Sequence, residues 1–217
     1  MNLLSPHRTV LAVDVVFDLV CPWCFIGTRR LARTLRARPD VLVSIGWRPF
    51  LLNPEAGQSG RAELPPRRPA GEDRSRRLHA TLTEMGKAEG LPFRFDLIRR
   101  VPNSLDAHRM VRFAARHGRS EEVVDALFLA HFSRGLDIAD PAILLAVGVT
   151  EGLDRTMLRE FLATTAEAET VHAENLRAHR LGINGVPCFV FADGHAIAGA
   201  QEPEVLERLI DVAIATA

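Results

Sequence analysis

The feature that most restricts how this chain can fold is Cys21-Pro22-Trp23-Cys24, because the sequence on its two sides has opposite character. Val10 to Val20 is dense in Val, Leu and Phe and predicts a buried β-strand. Beyond the motif, Ile26, Leu31 and Leu35 recur at helical spacing among Arg29, Arg30, Arg33 and Arg36, which predicts an amphipathic helix. The cysteines therefore fall where a strand hands over to a helix, within the first helical turn. Free backbone N–H groups and the positive end of the helix dipole stabilise a thiolate there. Pro22 suits the same turn, since its missing N–H and fixed φ cost nothing at a helix start.

A Cys-x-x-Cys spacing lets two sulfurs close a small disulfide ring. The first thiol is expected at the exposed helix start and the second beneath it. That makes Cys21 the nucleophile and Cys24 the thiol that resolves a mixed disulfide. Sites of this kind hold the nucleophile at roughly pKa 3.5–7.5, against about 8.5 for a free thiol. The competing reading is half of a structural zinc site. Structural zinc usually takes four Cys or His ligands, and a second Cys-x-x-Cys is absent. No metal is expected.

Three cysteines in 217 residues do not make a structural disulfide framework. No apolar run is long enough to cross a bilayer, and Met1 to Asp18 lacks the layout of a signal peptide, its apolar run being broken by Asp14 and Asp18. The expected compartment is the cytoplasm. The formal net charge is zero, so nothing points to nucleic acid or an anionic membrane surface. Lys87 is the only lysine, and the Arg-rich stretch from Arg67 to Arg77 reads as a solvated face.

Val41 to Phe50 predicts a second strand, giving a parallel, right-handed βαβ unit. Asn53 to Asp73 carries Gly, Pro and Arg with little periodicity and predicts a long, mobile connection. From about Arg74 to Gly182 the signals are helical, with Gly90, Gly118, Gly135, Gly152 and Gly182 each closing a helical stretch. Ser104 can cap a helix through His117, and Asp140-Pro141 offers a cap followed by Pro at the first helical position. Leu127, Phe128, His131 and Phe132 should face the interior. Cys188 to Ala192, a turn at Asp193-Gly194, and His195 to Ala198 predict a β-hairpin. Gly199 to Glu202 leads into a last amphipathic helix with Val205, Leu206, Leu209 and Ile210. The layout is α/β: βαβ, a block of helices, then ββα.

Four other places carry candidate chemistry. Pro187 opens the third strand, where a cis bond is permitted and would free the Val186 backbone to pair with an extended substrate. Cys188 reads most simply as a small buried hydrophobe. Trp23 either contacts substrate or shields the thiols. Asn103 and His108 either stand at the lip of the active cleft or serve as a helix cap and an interdomain hydrogen-bond partner, and the second reading is preferred.

Asp18 to Gly27, Trp47 to Phe50, Asn103 to His108, Gly182 to Pro187 and Gly199 to Glu204 together resemble, in order, the DsbA-like thioredoxin family and its FrnE-type dithiol–disulfide oxidoreductases. The resemblance implies a thioredoxin-like fold, residues 1–65 and 183–217, with an inserted helical domain, residues 66–182. It also implies thiol–disulfide exchange at Cys21 and Cys24, with protein or small-molecule thiols and disulfides as partners. No tightly bound cofactor is expected, and a homodimer fits as well as a monomer. The 2-hydroxychromene-2-carboxylate isomerases and kappa-class glutathione transferases look similar around Asn103 to His108 and the Gly-Val-Pro turn. They carry Ser at the position of Cys21 and use glutathione, so both cysteines here favour redox chemistry. By the same resemblance glutathione would lie against Val186, with its γ-glutamyl end near Ala200 and Gln201, and the candidate substrate-binding residues are Pro22, Trp23, Val186, Pro187, Asn103, His108 and Gln201. Cys188 departs from the family's bulky apolar residue after the proline.

Overall fold

β1 (Val10–Phe17) is the strand around which the rest is laid, and its residues explain why. Val13, Val15 and Phe17 are buried on one face while Val16 is buried on the other, as a central strand requires. The computed structural model describes residues 10–54, 69–192 and 194–216. α1 (Pro22–Ala37) follows β1, and β2 (Leu42–Pro49) then pairs parallel with it, Val13 opposite Ile45 and Phe17 opposite Pro49. Six helices come next: α2 (Pro69–Ala88), α3 (Leu105–Ala115), α4 (Ser120–Arg134), α5 (Pro141–Thr150), α6 (Arg155–Leu162) and α7 (Ala168–Arg180). The chain returns through β3 (Cys188–Phe191) and β4 (Ala196–Ala198) to α8 (Pro203–Ala215). β3 runs antiparallel to β1, giving the sheet order β2-β1-β3-β4. The βαβ, helices, ββα layout expected from the sequence is the observed one.

The glycines after the helices behave as C-terminal caps. Gly135, for example, closes α4 at φ 65°, a conformation that a side chain resists. Asp140 caps α5 through its carboxylate, with Pro141 following. At α3 the expected cap is corrected. Ser104 holds the cap position without a side-chain bond, and Asn103 Oδ1 accepts the Leu105 N–H at 2.8 Å instead. The expected irregular connection from Asn53 to Asp73 is corrected at its end, where Pro69 already opens α2; residues 55–68 lie outside the described residues, as do Asp193 of the hairpin turn and the domain boundary at 65 and 66. In the Arg-rich stretch, Arg74, Arg76 and Arg77 are exposed, and Arg67 and Arg68 lie outside the described residues.

Sheet and helices share one hydrophobic cluster. Leu127, Phe128, His131 and Phe132 are buried in it, as their spacing predicts. Phe17, the last residue of β1, meets Trp47 of β2 at 5.1 Å, His108 of α3 at 5.0 Å and Phe128 of α4 at 6.2 Å between ring centroids. Phe25, next to Cys24, stacks on Phe128 at 5.0 Å. A smaller cluster of Val16, Phe50, Ala178 and Cys188 fills the other side of the sheet, under α7.

Candidate functional site

The end of β1 and the start of α1 bring the two sulfurs together. Asp18 C=O accepts the Cys21 N–H at 3.1 Å, which turns the chain out of the strand, and Cys21 becomes the N-cap of α1. Its Sγ accepts the Cys24 N–H at 3.4 Å, a first-turn donor that it shares with the Cys21 carbonyl at 3.0 Å. Cys21 and Cys24 are free thiols 3.3 Å apart.

Cys21 is not exposed, contrary to expectation: it retains 4% of its surface. The reason is the loop across it. The Val186–Pro187 peptide bond is cis, and the Cys21 thiol donates to the Val186 carbonyl at 3.6 Å. That loop approaches because residue 27 is glycine. A Cβ there would lie 2.8 Å from Pro187 Cγ and 3.4 Å from Ala200 Cα. Pro22 and Trp23 are half-buried beside the pair.

The two thiols are driven apart in acidity. The hydrogen bond from the Cys24 thiol, helped by the N–H groups of Cys24 and Trp23, holds Cys21 below the ordinary thiol value; burial and the Asp18 charge oppose this. Burial first, and then the hydrogen bond to Cys21 and its charge, push Cys24 well above that value. The pair thus offers one thiolate and one proton donor.

Beneath the sulfurs lies a buried polar group that sequence reasoning did not place in the site. Asp18 is fully buried, its carboxylate accepting the Val20 N–H at 3.3 Å and the Leu52 N–H at 2.7 Å. The signal was present: an acid at the end of an apolar strand. His108 belongs to this group, not to the lip of the cleft. It is 1% exposed, with Nε2 3.5 Å from Asp18 Oδ1 and its ring edge-on to Phe17. It lies on the inner face of α3. Asn103 is half-buried at the start of α3, spent on its cap. Gln201 is half-buried, and its amide donates to Ala198 C=O at 2.6 Å.

Gly199 N–H donates to Pro187 C=O at 2.7 Å, so the turn before α8 is tied directly to the loop over Cys21. Cys188 packs in the smaller cluster, and burial pushes its thiol up. Among the described residues, no group of three or more His, Cys, Asp or Glu side chains is arranged to hold a metal ion, and no helix is long and apolar enough to cross a membrane.

Comparison with known proteins adds a family. The model of the DsbA-like thioredoxin domain matches residues 12–211. A probable DsbA oxidoreductase from Streptomyces coelicolor is 29% identical, with a TM-score of 0.81 over 95% of this chain and 91% of that one. A 2-hydroxychromene-2-carboxylate isomerase has the same fold at 20% identity and TM-score 0.73, covering 93% and 95% of the two chains. So does the cytosolic disulfide reductase DsbM from Pseudomonas aeruginosa, solved with GSH, at 20% identity and TM-score 0.69, covering 94% and 100%.

Proposed function

The chain belongs to the DsbA-like thioredoxin domain family, and on that premise we propose that it is a FrnE-type thiol–disulfide oxidoreductase working through Cys21 and Cys24. One observation carries the reading. Cys21 caps a helix beside a free Cys24 thiol, with the Val186 carbonyl opposite it. The Cys21 thiolate attacks a substrate disulfide, forming a Cys21–substrate bond and releasing the first substrate thiolate, which takes a proton from water. Cys24 then loses its proton and attacks Cys21 sulfur. The Cys21–Cys24 bond forms, the second substrate thiol leaves, and the substrate has gained the two electrons the dithiol lost. Run backwards, the same steps oxidise a substrate dithiol.

Glutathione is the partner thiol we favour, lying against Val186 and Pro187. The GSH-bound DsbM structure, a protein of the same fold described as cytosolic, supports both this choice and a cytoplasmic location. Titration of the Cys21–Cys24 pair in glutathione buffers, read by trapping free thiols, should give a single two-electron couple. A Cys21→Ser protein with full exchange activity would remove the reading. Turnover of a glutathione-dependent isomerisation that survives Cys24→Ala would favour an isomerase or transferase instead.

A further inference from the structure

Arg30 is buried at 5% exposure on α1, three residues beyond Gly27, and its guanidinium is shared among three partners on two other segments. Nε donates to Glu89 Oε1 at 2.8 Å, just past the end of α2. Nη1 donates to Ala200 C=O at 2.8 Å, and Nη2 pairs with Glu202 Oε1 at 2.8 Å. The Glu89 side chain is itself buried and is held a second time by Arg33 at 3.2 Å. A buried charge is tolerated only when it is paired, and a planar fork holds its donors rigidly far enough apart to reach Glu89, Ala200 and Glu202 together, a spread that a compact ammonium does not have. Ala200 and Glu202 belong to the turn whose Gly199 N–H holds Pro187 C=O.

We propose that Arg30 is a positioning residue for thiol exchange. By clamping Ala200 and Glu202 against α1, it fixes the 199–202 turn and, through Gly199, holds the Val186–Pro187 loop in register over Cys21 for an extended disulfide substrate. This rests on the thiol-exchange reading above. The chain of contacts also ties α2, through Glu89, to the substrate side of the dithiol.

The test compares two reactions of Cys21 in the full-length chain. Oxidised glutathione needs the loop and turn in register; iodoacetamide, which is small and featureless, needs the thiolate and only passage past the loop. Arg30→Lys keeps a positive charge beside Glu89 but loses the fork. Its kcat/KM with oxidised glutathione should fall about tenfold, mainly through KM, as expected for a substrate misplaced by a fraction of an ångström. Alkylation should hold at the wild-type rate or rise, because a looser loop uncovers the thiolate. Glu202→Gln, at a side chain 59% exposed, should lower the glutathione rate about threefold. The double variant should fall no further than Arg30→Lys alone.

Wild-type glutathione kinetics in the folded variants, or equal losses in both reactions, would overturn the proposal. Should Arg30→Lys fail to fold, the glutathione rate of Glu202→Gln decides alone. If even the wild type alkylates yet ignores oxidised glutathione, the exchange reading is what has failed. Arg30 is then tested by hydrogen exchange at the Gly199 amide, whose protection both variants must lower; unchanged protection refutes the clamp.

Discussion

Cys21 and Cys188 have the same exposure, 4%, and lie in different hydrophobic clusters of one molecule, yet their acidities move in opposite directions. Cys188 stands in β3, packed with Val16, Phe50 and Ala178, and meets burial alone. Cys21 meets burial too, but the Cys24 thiol and the N–H groups of the first turn outweigh it. Being hidden from water therefore does not make a thiol inert. Donors decide, and a helix start supplies them where a strand interior has already spent its own.

The largest effect should come from exchanging the two roles. Cys21→Ser reduces disulfide exchange to background, while Cys188→Ser leaves the rate within about twofold, in an assay with a peptide disulfide. Loss of activity on Cys188→Ser would break the contrast.

Next in size is the contact that seals Cys21. Gly27→Ala places a Cβ 2.8 Å from Pro187 Cγ, so denaturant unfolding should show a loss of about 1–3 kcal/mol, with slower exchange besides. A stability equal to wild type would mean that the loop yields freely.

The pH dependence sharpens the comparison. Cys21 is depressed, so in the reduced protein its contribution to stability is present above the ordinary thiol value and fades as pH falls through its folded value. Cys24 and Cys188 are raised, so theirs is present below the ordinary value and lost as pH rises towards their folded values. Reduced protein should thus weaken in alkali, and Cys188→Ala should remove part of that weakening in melts at increasing pH. Iodoacetamide should label Cys21 below the pH at which a free cysteine reacts, and leave native Cys188 untouched.

The smallest effect concerns His131, 3% exposed on α4, which burial holds below its ordinary value of 6.5. Below pH 6.5 the unfolded chain binds a proton that the folded one refuses, so stability declines as pH falls towards the folded value. His131→Gln should flatten that decline in denaturant melts between about pH 7 and 5.

What the sequence disclosed was local. The change of period across Cys21-Pro22-Trp23-Cys24 located β1, α1 and the dithiol, because strand and helix signals are carried by neighbours within a few residues. The glycines closing the helices were legible for the same reason. Contacts across the chain were not. Asp18 meets the Leu52 N–H, and Arg30 reaches both Glu89 and Ala200, pairings that no spacing announces. His108 was visible as a histidine near a helix start. Whether it faced the cleft or the core depended on how α3 turns against Phe17, which only packing determines.

Phe17 has a consequence of its own. One ring ends the central strand, abuts the residue that begins the turn to the sulfurs, and touches α3 and α4 at once. Loosening of those helices therefore removes the floor from under the dithiol. Heat should erase redox competence and helical signal in one transition, and a lineage that exchanged its helical block would first have to find a new seat for that ring.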